Sequence, residues 1–252
     1  MVKKEVMYFE LKIDFIYRIP WLLFKLKKMI MKKVSLFLFA AILLVGSFAS
    51  SAQDSTAVKS RWTAGADFYN NYIWRGTKFG TGPAFQPSVK FITGGLTIGV
   101  WGSFDAAGYS EVDPFISYAF SNGLSFGVTD YYYPGLGGAF TADSSNAYEL
   151  NAGFTKGGLS LSANYILNKA SVPASAGSDK YFQAGYAFKA FNLSVGAGDG
   201  WHTSDGKFNV CHVAVGTGKE IKLSESFSIP VTGQVIFNPE KNQLFLVVGF
   251  SL

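Results

Sequence analysis

The sequence predicts an all-β fold: a transmembrane, antiparallel, up-and-down β-barrel of about twelve strands. Three observations carry that expectation. From residue 62 onward the chain has no 3.6-residue apolar period; alternation recurs instead, broken by Gly, Asn, Ser, Asp and Pro. Connections between the alternating segments are short and long in turn, the pattern of short periplasmic turns and longer extracellular loops. Nearly every segment has one apolar face, so no segment is left over to cover the rest. Such faces are tolerable in lipid, where each backbone polar group must be paired and a sheet has to close on itself.

In chain order, segments are expected at 62–75, 84–92, 95–105, 111–120, 124–133, 146–155, 158–168, 179–189, 192–201, 208–218, 226–237 and 243–252. Leu96, Ile98, Val100 and Phe104 share one face of the third, and Leu159, Leu161, Ala163, Tyr165 and Leu167 one face of the seventh. Phe227, Ile229, Val231, Val235 and Phe237 repeat the pattern, and Leu244, Leu246, Val248, Phe250 and Leu252 end the chain with it. Pro87, Pro114 and Pro230 fall inside segments and predict edges or bulges there. The tight connections are "TGG", "SNG", "KGG", "AFN" and "LSES". The long ones run through "GTKFGTGP", "AAGY", "PGLGGAFTADSS", "KASVPASAGS", "HTSDGK" and "NPEKN".

Parity assigns Trp62, Ala64, Ala66, Phe68, Tyr72 and Trp74 of the first segment to lipid, with Phe85, Val89, Phe91, Tyr148, Leu150, Phe154, Phe182, Tyr186 and Phe188. Aromatics near segment ends, including Tyr72, Trp74, Tyr132 and Trp201, are expected in interfacial girdles. Asp130 and Asp199 fall on the lipid face, so each either turns inward at a bulge or lies near the headgroups; Asn70 is a milder misfit.

The opposite face is polar and small, and would line the lumen. Its candidate pore-lining residues are Asp67, Tyr69, Arg75, Lys90, Trp101, Asp113, Glu149, Asn164 and His212. Twelve strands lie between the filled eight-stranded barrel and the open sixteen-stranded one, so a narrow lumen is expected. Asp105, Glu111, Asp113, Glu149 and Asp179 lie towards the outer mouth, opposed mainly by Arg75, with Lys90 and Lys189 at the other end. That arrangement favours small cations.

The N-terminus reads as an address. "MKKVSLFLFAAILLVGSFASSAQ" begins at Met31 with two lysines, an apolar stretch and small residues before Gln53. Residues 31–52 are therefore expected to be a secretory signal peptide, 53–252 the barrel, and 1–30 an extension from a start codon placed too early. Nine Lys/Arg stand against three acids in residues 1–52, and thirteen against fourteen afterwards, so the net +5 does not mark a nucleic-acid binder. The single Cys211 excludes an internal disulfide framework; no metal spacing, phosphate loop or dinucleotide fingerprint is present, and no cofactor is expected.

"DFYNNYIWRG" (67–76), "GLTIGVWGSF" (95–104), "GLSFGVTDYYYPG" (123–135) and "YELNAGFTKGGLSLSANYIL" (148–167) resemble the TorF-type porins, also called the Gcw_chp family. The likeness covers about residues 60–252. It implies a pore-forming protein in the outer membrane of a Gram-negative bacterium, set in lipid and handled by the barrel-assembly machinery through its C-terminal strand. The implied cargo is small solutes or ions, and no catalytic residue is implied. Two rival readings stay open. His202-x-Ser204-Asp205-Gly206 is similar to the His-x-Ser-Asn-Gly element of outer-membrane phospholipases, which would make His202 the base, Ser204 the nucleophile and Asn209 the orienting amide, with Asp205 departing from the pattern. The third is a non-conducting barrel whose loops, 134–145 and 169–178, bind partners or plug the lumen.

Overall fold

A computed structural model describes residues 61–136, 140, 145–171 and 175–252. The expected signal peptide and the extension before it lie outside the described residues. The strands are β1 (Arg61–Tyr69), β2 (Tyr72–Trp74), β3 (Thr77–Phe79), β4 (Ala84–Thr93), β5 (Leu96–Asp105), β6 (Ser110–Ala119) and β7 (Leu124–Tyr132). They continue with β8 (Asn146–Lys156), β9 (Leu159–Ile166), β10 (Lys180–Ala187), β11 (Asn192–Gly200), β12 (Gly206–Lys222), β13 (Ser228–Asn238) and β14 (Gln243–Ser251). β1 and β4 to β14 form a closed barrel of twelve antiparallel staves, in which β14 returns to pair with β1. β2 and β3 pair only with each other.

The outer face is apolar because alternate residues of each stave point away from the lumen. Leu244, Leu246, Val248 and Phe250 of β14 are exposed, Leu244 by 68%, while Val247 between them is buried. In water each such side chain would forfeit roughly 1.5–3 kcal/mol of burial. The turns gather at one end (94–95, 120–123, 157–158, 188–191, 223–227) and the loops at the other.

The three prolines lie where the ladders tolerate a missing N–H. Pairing of β4 with β5 skips Gln86 and Pro87. Pairing of β6 with β7 skips from Val112 to Phe115 across Pro114. Pro230 lies beyond the last residue that β14 covers, since that ladder begins at Val231. A bulge also falls at Cys211, which the β11–β12 ladder passes over between Val210 and His212.

The seam between β1 and β14 is short, running from Asp67↔Ser251 to Tyr69↔Gly249. Asn70 prolongs it. Its side-chain amide donates to the Leu246 carbonyl (3.0 Å) and accepts from the Val248 N–H (2.9 Å). A side chain thus supplies the hydrogen bonds that β1 would have made had it continued, satisfying the edge of β14. The residue that breaks the apolar parity is what closes the wall.

One expectation is corrected here. Residues 62–75 are not one stave: β1 ends at Tyr69, and β2 then reverses through Arg75 and Gly76 into β3. Both turn residues have positive φ, 50° at Arg75 and 81° at Gly76, which makes a two-residue hairpin turn of the kind whose twist matches its strands. Alternation alone cannot tell a stave from a hairpin, because the two share a period of two. Tyr72 and Trp74 accordingly face the lumen rather than lipid, and Trp201, expected in a girdle, packs inside with Trp74. Asp130 and Asp199 do not turn inward. Both stay on the outer face at the loop end, Asp130 held by the Asn146 amide (2.8 and 2.9 Å) and Asp199 by the Lys180 ammonium (3.2 Å).

Candidate functional site

The hairpin β2–β3 folds into the loop end of the lumen and crosses it. Its base lies against β5 and the β5–β6 loop, where Tyr72 meets Trp101 (ring centroids 5.5 Å) and Tyr109 (6.1 Å). Its tip reaches the far wall. Asn238 of β13, fully buried, donates to the Gly76 carbonyl at 3.0 Å, and the Lys241 ammonium reaches the Thr77 hydroxyl at 3.1 Å. A Cβ on Gly76 would stand 1.9 Å from the Cys211 carbonyl oxygen, so close approach and positive φ both demand glycine there.

Arg75 occupies the centre of this arrangement. Its two terminal nitrogens bond both oxygens of Glu149 on β8, at 2.6 and 2.8 Å. The guanidinium carbon lies 4.4 Å from the ring centroids of both Trp74 and Tyr181. Bidentate pairing and stacking on two faces are what an arginine, unlike a lysine, can satisfy together. The Glu149 carboxylate is fully buried and also accepts from the Tyr131 hydroxyl (3.0 Å) and the Asn151 amide (2.7 Å).

A second carboxylate centre lies beside the hairpin base. Glu111, buried on β6, accepts from the Tyr109 hydroxyl at 2.6 Å. Along the hairpin, Trp74, Tyr109 and Trp201 pack against the cluster of Tyr131, Tyr133, Ala147, Ile166 and Ala170. The opposite wall is apolar too: Tyr69, Ile73 and Phe245 pack on Ala214, Ile236 and Val247.

The sequence-derived candidates fall in three places. Arg75 and Glu149 form the central ion pair; Asn164 supports it, accepting from Asn151 at 3.0 Å. Trp101 and Asp113 lie along the hairpin base, Asp113 buried and receiving the Tyr132 N–H at 3.4 Å, and Tyr69 packs beneath Ile73. Asp67, Lys90 and His212 belong to other parts of the wall: Lys90 pairs in register with Thr63 and Gly99 near the turn end, Asp67 lies on the seam, and His212 bonds Ser194 at 3.0 Å. Sequence reasoning missed Tyr131, Tyr181 and Trp201 as site residues and mistook Tyr72 and Trp74. A signal for the last two was present, an Arg-Gly pair flanked by "YIW" and "TKF".

The acids expected at the mouth are bonded within the wall. Asp105 accepts the Thr81, Ala107 and Tyr109 N–H groups, and Asp179 the Ser175 hydroxyl (2.6 Å) and the Trp201 N–H (3.3 Å). His202 and Ser204 form no nucleophile–base pair. The His202 Nε2 accepts from the Trp201 indole N–H at 2.7 Å, whereas the Ser204 hydroxyl bonds the Glu240 carboxylate. In the turn between β11 and β12, burial, then the Arg75 and Lys241 charges, push the His202 imidazole down to about 2, which keeps it neutral and an acceptor for that indole. Among the described residues no group of three His, Cys, Asp or Glu side chains could hold a metal ion.

No protein-family model matches the chain, and no curated protein is significantly similar to it. Among solved structures, a triple mutant of Rhodopseudomonas blastica porin is similar at 14% identity and a TM-score of 0.37, covering 67% of this chain and 55% of that one. Another mutant of the Rh. blastica porin gives 16% identity and the same TM-score and coverage. The chain thus spans just over half the length of that porin. A likeness this distant is too weak to carry a function, which has to be argued from the lumen itself.

Proposed function

We propose that the chain is a porin-like outer-membrane barrel that passes small hydrophilic solutes or ions through a narrow lumen, constricted by the β2–β3 hairpin and slightly favouring cations. The observation that carries the reading is the pairing of a closed twelve-stave wall, apolar outside, with a lumen crossed by a hairpin held, among the described residues, by hydrogen bonds and the Arg75–Glu149 ion pair. The resemblance to the TorF-type porins, the signal-peptide pattern of the sequence at 31–52 and the asymmetry of turns and loops support placing it in the outer membrane of a Gram-negative bacterium, turn end towards the periplasm. In that setting its neighbours are outer-membrane lipid and, during assembly, the barrel-assembly machinery engaging β14.

One observation favours a second reading, a closed barrel that conducts only after the hairpin moves: Glu149 is fully buried beneath Arg75. Planar-bilayer conductance of the refolded protein separates the two. Discrete steps in the wild type, with reversal potentials favouring cations, support the open constriction. Silence in the wild type with steps on removal of residues 71–80 supports the closed barrel, and silence in both ends the channel reading.

A further inference from the structure

We propose that Glu149, Tyr131, Asn151 and Tyr181 form a binding site for the guanidinium group of a small cationic solute, and that Arg75 is its built-in occupant. The inference names a ligand class for the lumen and rests on the channel reading only where passage of the solute is concerned.

The first argument is that the wall holds this site without help from the hairpin. Asn151 is fixed by the Thr129 hydroxyl (2.9 Å) and by Asn164 (3.0 Å), and it donates in turn to Glu149 at 2.7 Å. Tyr131 donates to the same Glu149 oxygen, and the Tyr181 hydroxyl is held by Gln183 at 2.7 Å. Two wall donors therefore aim the carboxylate, and one wall ring flanks the space in front of it. Trp201, 5.7 Å from Tyr131, keeps that space aromatic on a further side. Arg75 adds two hydrogen bonds to a carboxylate that is already oriented.

The shape of the space selects the ligand. Two parallel N–H groups meet the two carboxylate oxygens at 2.6 and 2.8 Å, while a flat cation lies 4.4 Å from the Tyr181 centroid. A guanidinium presents both the fork and the flat face; an ammonium presents neither, and an alkali ion cannot stack. With the hairpin seated Glu149 is fully buried, so in that state the carboxylate needs a cation against it, and Arg75 supplies one.

The occupant is also carried on a part built to leave. Arg75 sits at the tip of a two-residue turn with φ of 50°, a region that a residue with a Cβ visits reluctantly. Both arms are anchored separately, by Asn70 on β14 and by Asp105 on the Thr81 N–H, so departure involves only the residues between them and breaks the Asn238–Gly76 and Lys241–Thr77 hydrogen bonds with the Arg75–Glu149 pair. A tethered arginine competes at an effective concentration that a free solute has to match. Solutes of this class would thus bind as the hairpin yields.

The experiment compares the full-length protein with Arg75→Ala and Arg75→Lys in detergent, titrated with methylguanidinium, methylammonium or sodium at constant ionic strength. Tryptophan emission and the thermal midpoint report occupancy beside Trp74 and Trp201. Methylguanidinium is expected to bind Arg75→Ala at least tenfold more tightly than wild type, and at least tenfold more tightly than methylammonium does. Adding Glu149→Gln to Arg75→Ala should abolish the response. Equal responses to all three cations, or a response indifferent to Glu149→Gln, overturn the site. If Arg75→Ala does not fold, Arg75→Lys carries the same comparison, since it keeps the charge and lacks the fork. Uptake into proteoliposomes of arginine methyl ester against citrulline methyl ester then separates the two proposals. Selective binding without uptake keeps the site and ends the channel reading, whereas uptake without guanidinium preference keeps the channel and ends the site.

Discussion

The two ends of the lumen share one wall and differ in what fills it. At the loop end, Tyr131, Tyr133, Ile166, Tyr181 and His202 are buried around the hairpin, and polar groups meet partners at hydrogen-bond distance. Below Asn151 and Asn164 the staves offer Ser117, Ser125, Gly127, Gly153 and Ser162, which with those two residues, Phe115 and Thr129 line a cavity of about 240 Å³. The number of strands sets the width of a barrel, so side-chain volume has to decide where it closes. The loop end is constricted because several large aromatics and an extra hairpin occupy a space that mostly smaller side chains leave open lower down.

The largest effect expected is from Glu149→Ala, which strands the Arg75 charge inside the closed end. Breaking a buried pair this way costs about 3–5 kcal/mol, enough to release the hairpin and make the loop end as open as the turn end. A several-fold rise in single-channel conductance, with the barrel still heat-modifiable on gels, is the result that checks it. Gly76→Val is next. Its Cβ would collide with the Cys211 carbonyl while the backbone keeps a positive φ, a strain of about 1–3 kcal/mol. Trypsin cleavage after Arg75 or Lys78 should then appear at protease levels that leave the wild type intact.

Ser162→Leu tests the other end. The added side chain projects into open space rather than into packed neighbours, so the thermal midpoint should change by less than the equivalent of about 1 kcal/mol. Conductance should nevertheless fall. A large loss of stability would mean that the turn end is packed after all, and the contrast between the ends would disappear.

How much of this could be read beforehand differs between wall and filling. The staves were legible because alternation has one meaning once no covering layer exists: the ladder Leu244↔Phe237 through Phe250↔Val231 lies where the apolar parity puts it. Even Glu149 and Arg75 were placed in the lumen by parity and loop position. Their pairing was not legible, because β2 and β3 have the same period of two as a stave, and only the positive φ of Arg75 and Gly76 sends the chain back. Asn70 was misread for a related reason. A polar residue on a lipid face is a fault only if the neighbouring backbone is already satisfied, and the end of β1 at Tyr69 leaves β14 unsatisfied there.

The smallest effect concerns pH, and it turns on His202. Closed, the imidazole lies 5.2 Å from Trp74 and 5.0 Å from Tyr181, and burial holds it near 2. Once the hairpin leaves, water reaches the ring and its pKa returns towards the ordinary value of about 6.5. The open state therefore binds a proton that the closed state refuses. Closure is at full strength well above pH 6.5 and weakens as pH falls towards 2, by about 1.4 kcal/mol at pH 5.5. Protonation of carboxylates adds its own effect at lower pH, so the imidazole has to be isolated by difference. His202→Gln keeps an acceptor for the Trp201 indole but has nothing to protonate. Between pH 7 and 5 the wild type should show rising open probability and the variant a flat profile. If both rise in parallel, the carboxylates alone set the pH response, and the neutral histidine contributes only its packing to the closed end.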